Sequence, residues 1–357
     1  MNEGLCLAGL SKDEEQFIQA GNIWEFRVYC GLFGFCVGDA LGVPVEFSSR
    51  EERKNDPVRE MRAYGTHRQP IGTWSDDTSL MLCLIDAINR GYSIQKTADN
   101  FMDFYRNGAF TSHGEVFDIG MSTRDAIEKM CDGELPVKCG GASEMDNGNG
   151  SLMRVLPLAF YGRKMKGEQF ISLVEDVSSL THRHKCSMFA CIFYVKFASR
   201  LADDGWTGEK ETALDETIAF MREYCSESYE AEWNYFDRIL SKKILELPED
   251  EIRSTGYVVD TLEAALWAFF RGGSYKEAVL KAVNLGGDTD TIAAVAGGLA
   301  GIYHNKGWHD SARDINRKDC MRGIPEEWLQ SLAKKEELTE MFHRFYKACD
   351  MPAFSHR

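Results

Sequence analysis

An all-α fold is predicted by three observations. Apolar residues recur at spacings of three and four in WEFRVYCGLFGFCVGDAL, SLMLCLIDAI, TLEAALWAFF and TIAAVAGGLAGIY, the period that lays a stripe along one helix face. Sustained alternation of period two, the mark of a half-buried strand, is scarce. The first and last of these segments also carry small residues four apart: Cys30, Gly34, Gly38 and Gly42 in one, Ala293, Gly297 and Gly301 in the other. Residues four apart share a helix face, so each row is a ridge without bulk against which a neighbouring helix can come unusually close. Such packing offsets the intrinsic helix penalty of ~1 kcal/mol per glycine. These two helices are expected at the centre of the fold.

In chain order, Met1 to Asn22 precede the first strong helix and read as an N-terminal arm, with residues 23–357 forming a single all-helical domain. The 357 residues, 44% of them hydrophobic, suffice for one large core. Between Leu201 and Ser254 the chain turns acidic and polar, which predicts one or two amphipathic, mostly exposed helices in a solvated outer layer. A net charge of −15 and a pI near 5.1, without a Lys/Arg block, exclude a general nucleic-acid binder. A small anionic ligand is compatible with that charge, because helix N-termini and backbone N–H groups hold phosphate. The start lacks a basic n-region and an apolar h-region, and the apolar stretch Ile292 to Tyr303 is too short to span a bilayer. The eleven cysteines form no CxxC or zinc-type cluster and read as reduced thiols, Cys83 and Cys191 as small buried hydrophobes. No membrane association and a cytoplasmic location are expected.

The segments GTWSDDTSL (Gly72 to Leu80) and GGDTDTIAAVAGG (Gly286 to Gly298) each set acids and hydroxyls at a turn entering an apolar helix. Capping of helix starts uses the same residue types, but each segment holds more acids than a cap requires. If folding joins the two turns, Asp76, Asp77, Asp288 and Asp290 share one pocket, repel one another and have raised pKa values. Two Mg²⁺ ions, or Mn²⁺, would balance that charge and take oxygen ligands from Ser75, Thr78, Thr289 or Thr291 as well.

Four further segments carry candidate chemistry. GDALGVPVEF breaks at Pro44 and presents Glu46 just beyond, on what reads alone as an exposed loop; Asp39 reads as structural. In DNGNGSLMRVLPLAF, Asn147, Gly148, Asn149, Gly150 and Ser151 lead into an expected helix near Ser151 and suit either an anion held by inward N–H groups or a plain tight turn. HGEVFDIGMSTRDAI offers Asp118, with Ser122 and Thr123 as expected caps of the next helix. SSLTHRHKCS offers His182 and His184, which could hydrogen-bond a phosphate but read first as capping or lining a helix.

Taken in order, GDALGVPVEF, GTWSDDTSLML, DNGNGSLMRVLPLAF, LTHRH, GYVVDTLEAALWA and GGDTDTIAAVAGGLAGIY resemble the ADP-ribosylglycohydrolase family. The similarity lies with its bacterial branch, whose best-known member is the dinitrogenase reductase-activating glycohydrolase, and spans roughly Phe26 to Tyr303. It implies a compact multi-helix bundle around a central dinuclear Mg²⁺ or Mn²⁺ site, which cleaves the bond between ADP-ribose and a modified side chain. Ser75, Asp76 and Asp77 would then ligate one metal, Asp288 and Thr291 the other, and Asp290 both. Glu46, Asp118 and Asp77 would be the catalytic acids, and Asn147 to Ser151, with His182, would hold the diphosphate and distal ribose. Where bacterial relatives often have Asn after the DIG, this chain has Met121. An arginine conjugate is the leading expected substrate, serine- or nucleotide-linked ADP-ribose the alternative. A different account makes the chain an immunity-type protein that blocks an ADP-ribosyltransferase toxin through its arm.

Overall fold

The computed structural model describes residues 23–203, 208–304 and 323–350; the arm expected at 1–22 lies outside the described residues. The longer helices are α1 (Ile23–Gly42), α2 (Asp76–Asn89), α3 (Ile94–Asn107), α4 (Met121–Cys131), α5 (Gly167–Ser179), α6 (Lys185–Leu201), α7 (Lys210–Cys225), α8 (Val258–Arg271), α9 (Tyr275–Val283), α10 (Thr289–Tyr303) and α11 (Lys335–Asp350). Among the described residues, extended pairing is confined to isolated bridges such as Tyr64–Gln69 and Gly148–Tyr257. The fold is all-α, as the three-and-four spacing predicts.

The two small-residue rows face each other. A Cβ placed on Gly34 would lie 2.5 Å from Gly297 O, one on Gly38 2.1 Å from Ala293 O, and one on Gly301 2.0 Å from Cys30 O. Backbone therefore touches backbone along α1 and α10, which only glycine permits. Tyr275 of α9 adds a hydrogen bond from its hydroxyl to Gly34 O (2.8 Å). Helices α8 and α9 cover α10, while α11 lies over α1 and α2, with Phe342 edge-on to Phe33 at 4.9 Å. On the far side of α2, Leu80, Phe101, Phe104 and Ile127 form a smaller core with α3 and α4.

One local expectation needs correction, at the start of α4. In the acidic stretch only α7 is long; it buries Ala213, Leu214, Ile218, Met221 and Cys225, and the chain beyond it is short turns such as Trp233–Phe236 and Lys243–Leu245. The segment Trp24–Val45 is long and apolar enough to cross a bilayer, and it is wholly buried inside the fold. Helix α4 starts at Gly120 without a side-chain cap, because Ser122 and Thr123 already lie inside the helix. His184 does cap, its Nδ1 accepting from Cys186 N (3.1 Å) at the start of α6. Cys83 and Cys191 are buried, and every described cysteine is a free thiol.

Candidate active site

The C-terminal turn of α1 organises the site. Asp39, fully buried, accepts from Ser75 N (2.9 Å) and Thr78 N (3.0 Å), so it fixes the SDDT turn at the head of α2. One turn later, Gly42 O accepts from Thr289 Oγ1 (2.8 Å), and a Cβ on Gly42 would lie 2.2 Å from Asp290 Cα. The heads of α2 and α10 are thereby brought together, and Thr291 Oγ1 donates to Asp77 Oδ1 at 3.2 Å across 214 positions of sequence. The turn before α10 needs its glycines: Gly286 and Gly287 have φ of 73° and 74°, where a side chain is strained. Gly287 also exchanges backbone hydrogen bonds with Phe47 and Ser48 (both 2.8 Å), joining the Glu46 segment to the same turn.

Asp76, Asp77 and Asp290 are buried. Burial, then the other acids around them, holds their carboxyl groups well above the usual carboxylate range. Asp288 is raised too, by burial, against the opposing hydrogen bond from Asn149. Capping accounts for Ser75, whose Oγ accepts from Asp77 N (3.2 Å), but not for the acids, since Asp288 at the head of α10 makes no side-chain cap bond. Asp77 Oδ2, Asp288 Oδ1 and Asp290 Oδ2 are sealed from solvent with no hydrogen-bond partner. Orphaned carboxylate oxygens cost several kcal/mol each if left so, and they are hard donors of the kind Mg²⁺, Mn²⁺ or Ca²⁺ takes. The residues present therefore fit a divalent cation. Carboxylate oxygens of Glu46, Asp288 and Asp290 also lie within 4.8 Å of one another.

A measurable consequence concerns stability. Burial pushes Asp39 up to about 6 and Glu46 and Asp118 up to about 8, so in metal-free protein each binds more protons folded than unfolded above the ordinary value of ~4. Their contribution is complete below ~4 and is lost as pH climbs through about 6 and then about 8. The Tm of chelator-treated protein should fall from pH 5 to pH 9. Mg²⁺ or Mn²⁺ should raise the Tm most at the alkaline end, the added stability being ~2.7 kcal/mol at ~100 times Kd. Thermal melts with neither cation effective would count against a metal site.

Glu46 is not exposed, as the loop reading has it, but 5% accessible. Past the short turn Val43–Val45, Phe47 takes φ of 62° and turns its ring outward, which leaves the Glu46 carboxyl facing in. A carboxylate oxygen of Asp118, itself at φ of 59°, lies within 4.8 Å of one of Glu46, and burial with the neighbouring charge of Asp288 raises Glu46. His67, absent from the sequence reading, hydrogen-bonds Glu46 Oε2 through Nε2 and lies 3.8 Å from Asp118 Oδ1. Its context, AYGTHRQP, carries turn residues and nothing that marks a site.

The NGNGS segment runs beside the acids. Asn149 Nδ2 donates to Asp288 Oδ2 (2.7 Å) and Thr261 Oγ1 (2.9 Å), and Asn149 N donates to Gly256 O (3.0 Å). Asn147 Oδ1 accepts from Ser187 (3.3 Å), and Ser151 is buried against Cys191. Neither Gly148 nor Gly150 has positive φ; glycine is needed at 150 because a Cβ would lie 2.7 Å from the His182 ring. His182 is buried, bonded to Thr181 Oγ1 (2.7 Å), and held neutral, its pKa lowered to about 3 by burial and by Arg154. The helix expected near Ser151 is a three-residue turn, Leu152–Arg154, followed by a short helix from Pro157, so no long helix dipole points at this segment.

The sequence model of the ADP-ribosylglycohydrolase family matches residues 22–353, taking in the tail beyond Tyr303. The chain is 31% identical over 325 residues to ADP-ribosylarginine hydrolase Tri1 of Pseudomonas putida (strain GB-1), covering 90% of this chain and 78% of that protein. It is 28% identical over 316 residues to the ADP-ribosyl-(dinitrogen reductase) glycohydrolase of Rhodospirillum rubrum, covering 87% and 92%. A solved structure described as an ADP-ribosylglycohydrolase-related protein complex superposes with a TM-score of 0.70 at 29% identity, over 91% of this chain and 99% of that one. With its paired aspartate turns seated on one helix end, the chain belongs to the ADP-ribosylglycohydrolase family.

Proposed function

We propose that the protein hydrolyses the glycosidic bond between ADP-ribose and an arginine side chain, reversing ADP-ribosylation in the cytoplasm. The observation that carries this reading is the Asp77–Thr291 junction, which sets three partnerless carboxylate oxygens beside the Glu46–Asp118 pair. Similarity to two enzymes named for ADP-ribosyl hydrolysis supports it. Ser75, Asp76, Asp77, Asp288, Asp290 and Thr291 would hold two Mg²⁺, with Mn²⁺ as the alternative. When bound, the cations supply positive charge and Lewis acidity next to the ribose.

The chain's own groups do the rest. Bond breaking leaves oxocarbenium-like charge on the anomeric carbon, which the surrounding carboxylates stabilise. The carbon–nitrogen electron pair goes to the guanidine nitrogen, a very poor leaving group unless it is protonated as it leaves. Burial and the neighbouring acids push both Glu46 and Asp118 up, so the close pair holds one proton between its two carboxyl groups. One of the pair gives that proton to the guanidine. Water adds its oxygen to the carbon and loses its proton to the other carboxylate, so the pair again holds one proton, now on the opposite carboxyl, and the products are the unmodified arginine side chain and ADP-ribose. Asn147 to Ser151 and the neutral His182 line the side on which the diphosphate and distal ribose would lie.

Offering arginine-, serine- and nucleotide-linked ADP-ribose to the purified protein and measuring free ADP-ribose tests the reading. Fastest release from the arginine conjugate is expected. Release from another conjugate alone would keep the site and change the substrate, and release from none would overturn the activity.

A further inference from the structure

The loop that carries His67 is built onto the Glu46 segment. Tyr64 N donates to Gln69 O (2.6 Å), closing the loop, and Tyr64, Gly65 and Arg68 all have positive φ, at 66°, 59° and 54°. For Tyr64 and Arg68 this is a sparsely populated conformation that persists only where surrounding contacts fix it. Two contacts do so. Gly65 lies so close that a Cβ there would sit 1.8 Å from Pro44 O, and Thr66 Oγ1 donates to Glu46 O at 2.8 Å. The His67 ring then fits between Phe47 and Phe117, with centroids 6.0 Å and 5.3 Å away, and is only 14% exposed. Its Nε2 and the carboxylate oxygens of Glu46 and Asp118 all lie within 4.8 Å of one another.

We propose that His67 is a positioning residue for the hydrolysis: its Nε2–H, held by the docked 64–69 loop, orients the Glu46 carboxyl toward the aspartate cluster and keeps it paired with Asp118. The loop's unusual backbone places one imidazole against two carboxyl groups. A carboxyl that exchanges a proton during bond cleavage must keep its orientation to within a fraction of an ångström, and an adjacent fixed donor supplies that restraint.

The inference rests on the proposed hydrolysis, and its test separates the two. His67→Phe keeps a ring between Phe47 and Phe117 without the donor; His67→Gln places an amide N–H near the position of Nε2. With ADP-ribosyl-arginine as substrate, His67→Phe should lose ~10–100-fold in kcat with KM, Tm and Mg²⁺ stoichiometry by calorimetry little changed, and His67→Gln should recover most of that loss. An unchanged kcat in His67→Phe, or a loss that His67→Gln does not recover, overturns the proposal while leaving the activity standing. Should the wild type release nothing, the activity fails. The pairing is then read from the imidazole ¹⁵N spectrum, in which Glu46→Gln must shift the His67 Nε2 signal; an unmoved signal overturns it too.

Discussion

Asp290→Ala is expected to lower ADP-ribose release by ~1,000-fold or more while leaving the fold intact. Asp290 is 1% exposed, and its Oδ1 accepts from Thr291 N (2.9 Å) while Oδ2 has no protein partner. Glu46, Asp77, Asp118 and Asp288 all raise it further after burial has done so, so in metal-free protein its charge is a liability. Deleting that charge should raise the Tm of chelator-treated protein at pH 8 relative to wild type, by relief of like-charge repulsion. The same change should abolish the rise in Tm on adding Mg²⁺. Opposite shifts without and with cation would distinguish loss of a ligand from misfolding. A metal-free variant less stable than wild type would refute the electrostatic account. If the variant still protects against an ADP-ribosylating toxin, protection comes from binding and not from de-modification.

Gly38→Val is the substitution expected to damage the fold most. A Cβ on Gly38 lies 2.1 Å from Ala293 O and 2.6 Å from Ala293 C, backbone atoms that cannot rotate away. Glycine is the poorest ordinary helix former by ~1 kcal/mol relative to alanine, so a helical setting alone would favour replacement. Overpacking at ~1–3 kcal/mol, and more where backbone must move, reverses that sign. The helices must part, and the parting reaches the site directly: Asp39 beside it holds the head of α2, and Gly42 one turn on seats Asp290. Denaturant melts should show a loss of at least ~3 kcal/mol, and calorimetry a weakened Mg²⁺ isotherm in whatever remains folded. Gly120→Ala, where a Cβ meets nothing within 4 Å but alanine caps the start of α4 less well than glycine, should cost only ~0.5–1 kcal/mol.

The parts of this architecture that could be read beforehand are those written in residue type and period. Small residues four apart on two segments announce a close helix pair, because no other packing makes use of such a ridge, and the structure places the two rows face to face. Surplus aspartates at two helix starts announce something beyond capping, and the two starts do meet. The burial of Glu46 was not legible, since it depends on Phe47 turning outward at positive φ, a state that nothing in a phenylalanine advertises. His67 was hidden for the same reason: its place follows from backbone angles at Tyr64 and Arg68. The expected helix at Ser151 fails for a reason that was available. Pro157 has no N–H to bond Met153 O, so it starts a new helix instead of continuing one, and Arg154 occupies Gly150 O and Val177 O.

The glycine-lined contact between α1 and α10 has a consequence for biosynthesis. Gly42 and Thr289, bonded in the finished molecule, are 247 positions apart. At ~5–20 residues per second of translation, the N-terminal helix emerges from the ribosome roughly 12–50 s before its mate exists. Throughout that interval a 22-residue apolar rod, buried in the finished protein, waits without its cover. Productive maturation of the nascent chain should accordingly depend on a holding chaperone, and slowing elongation should lower the soluble yield.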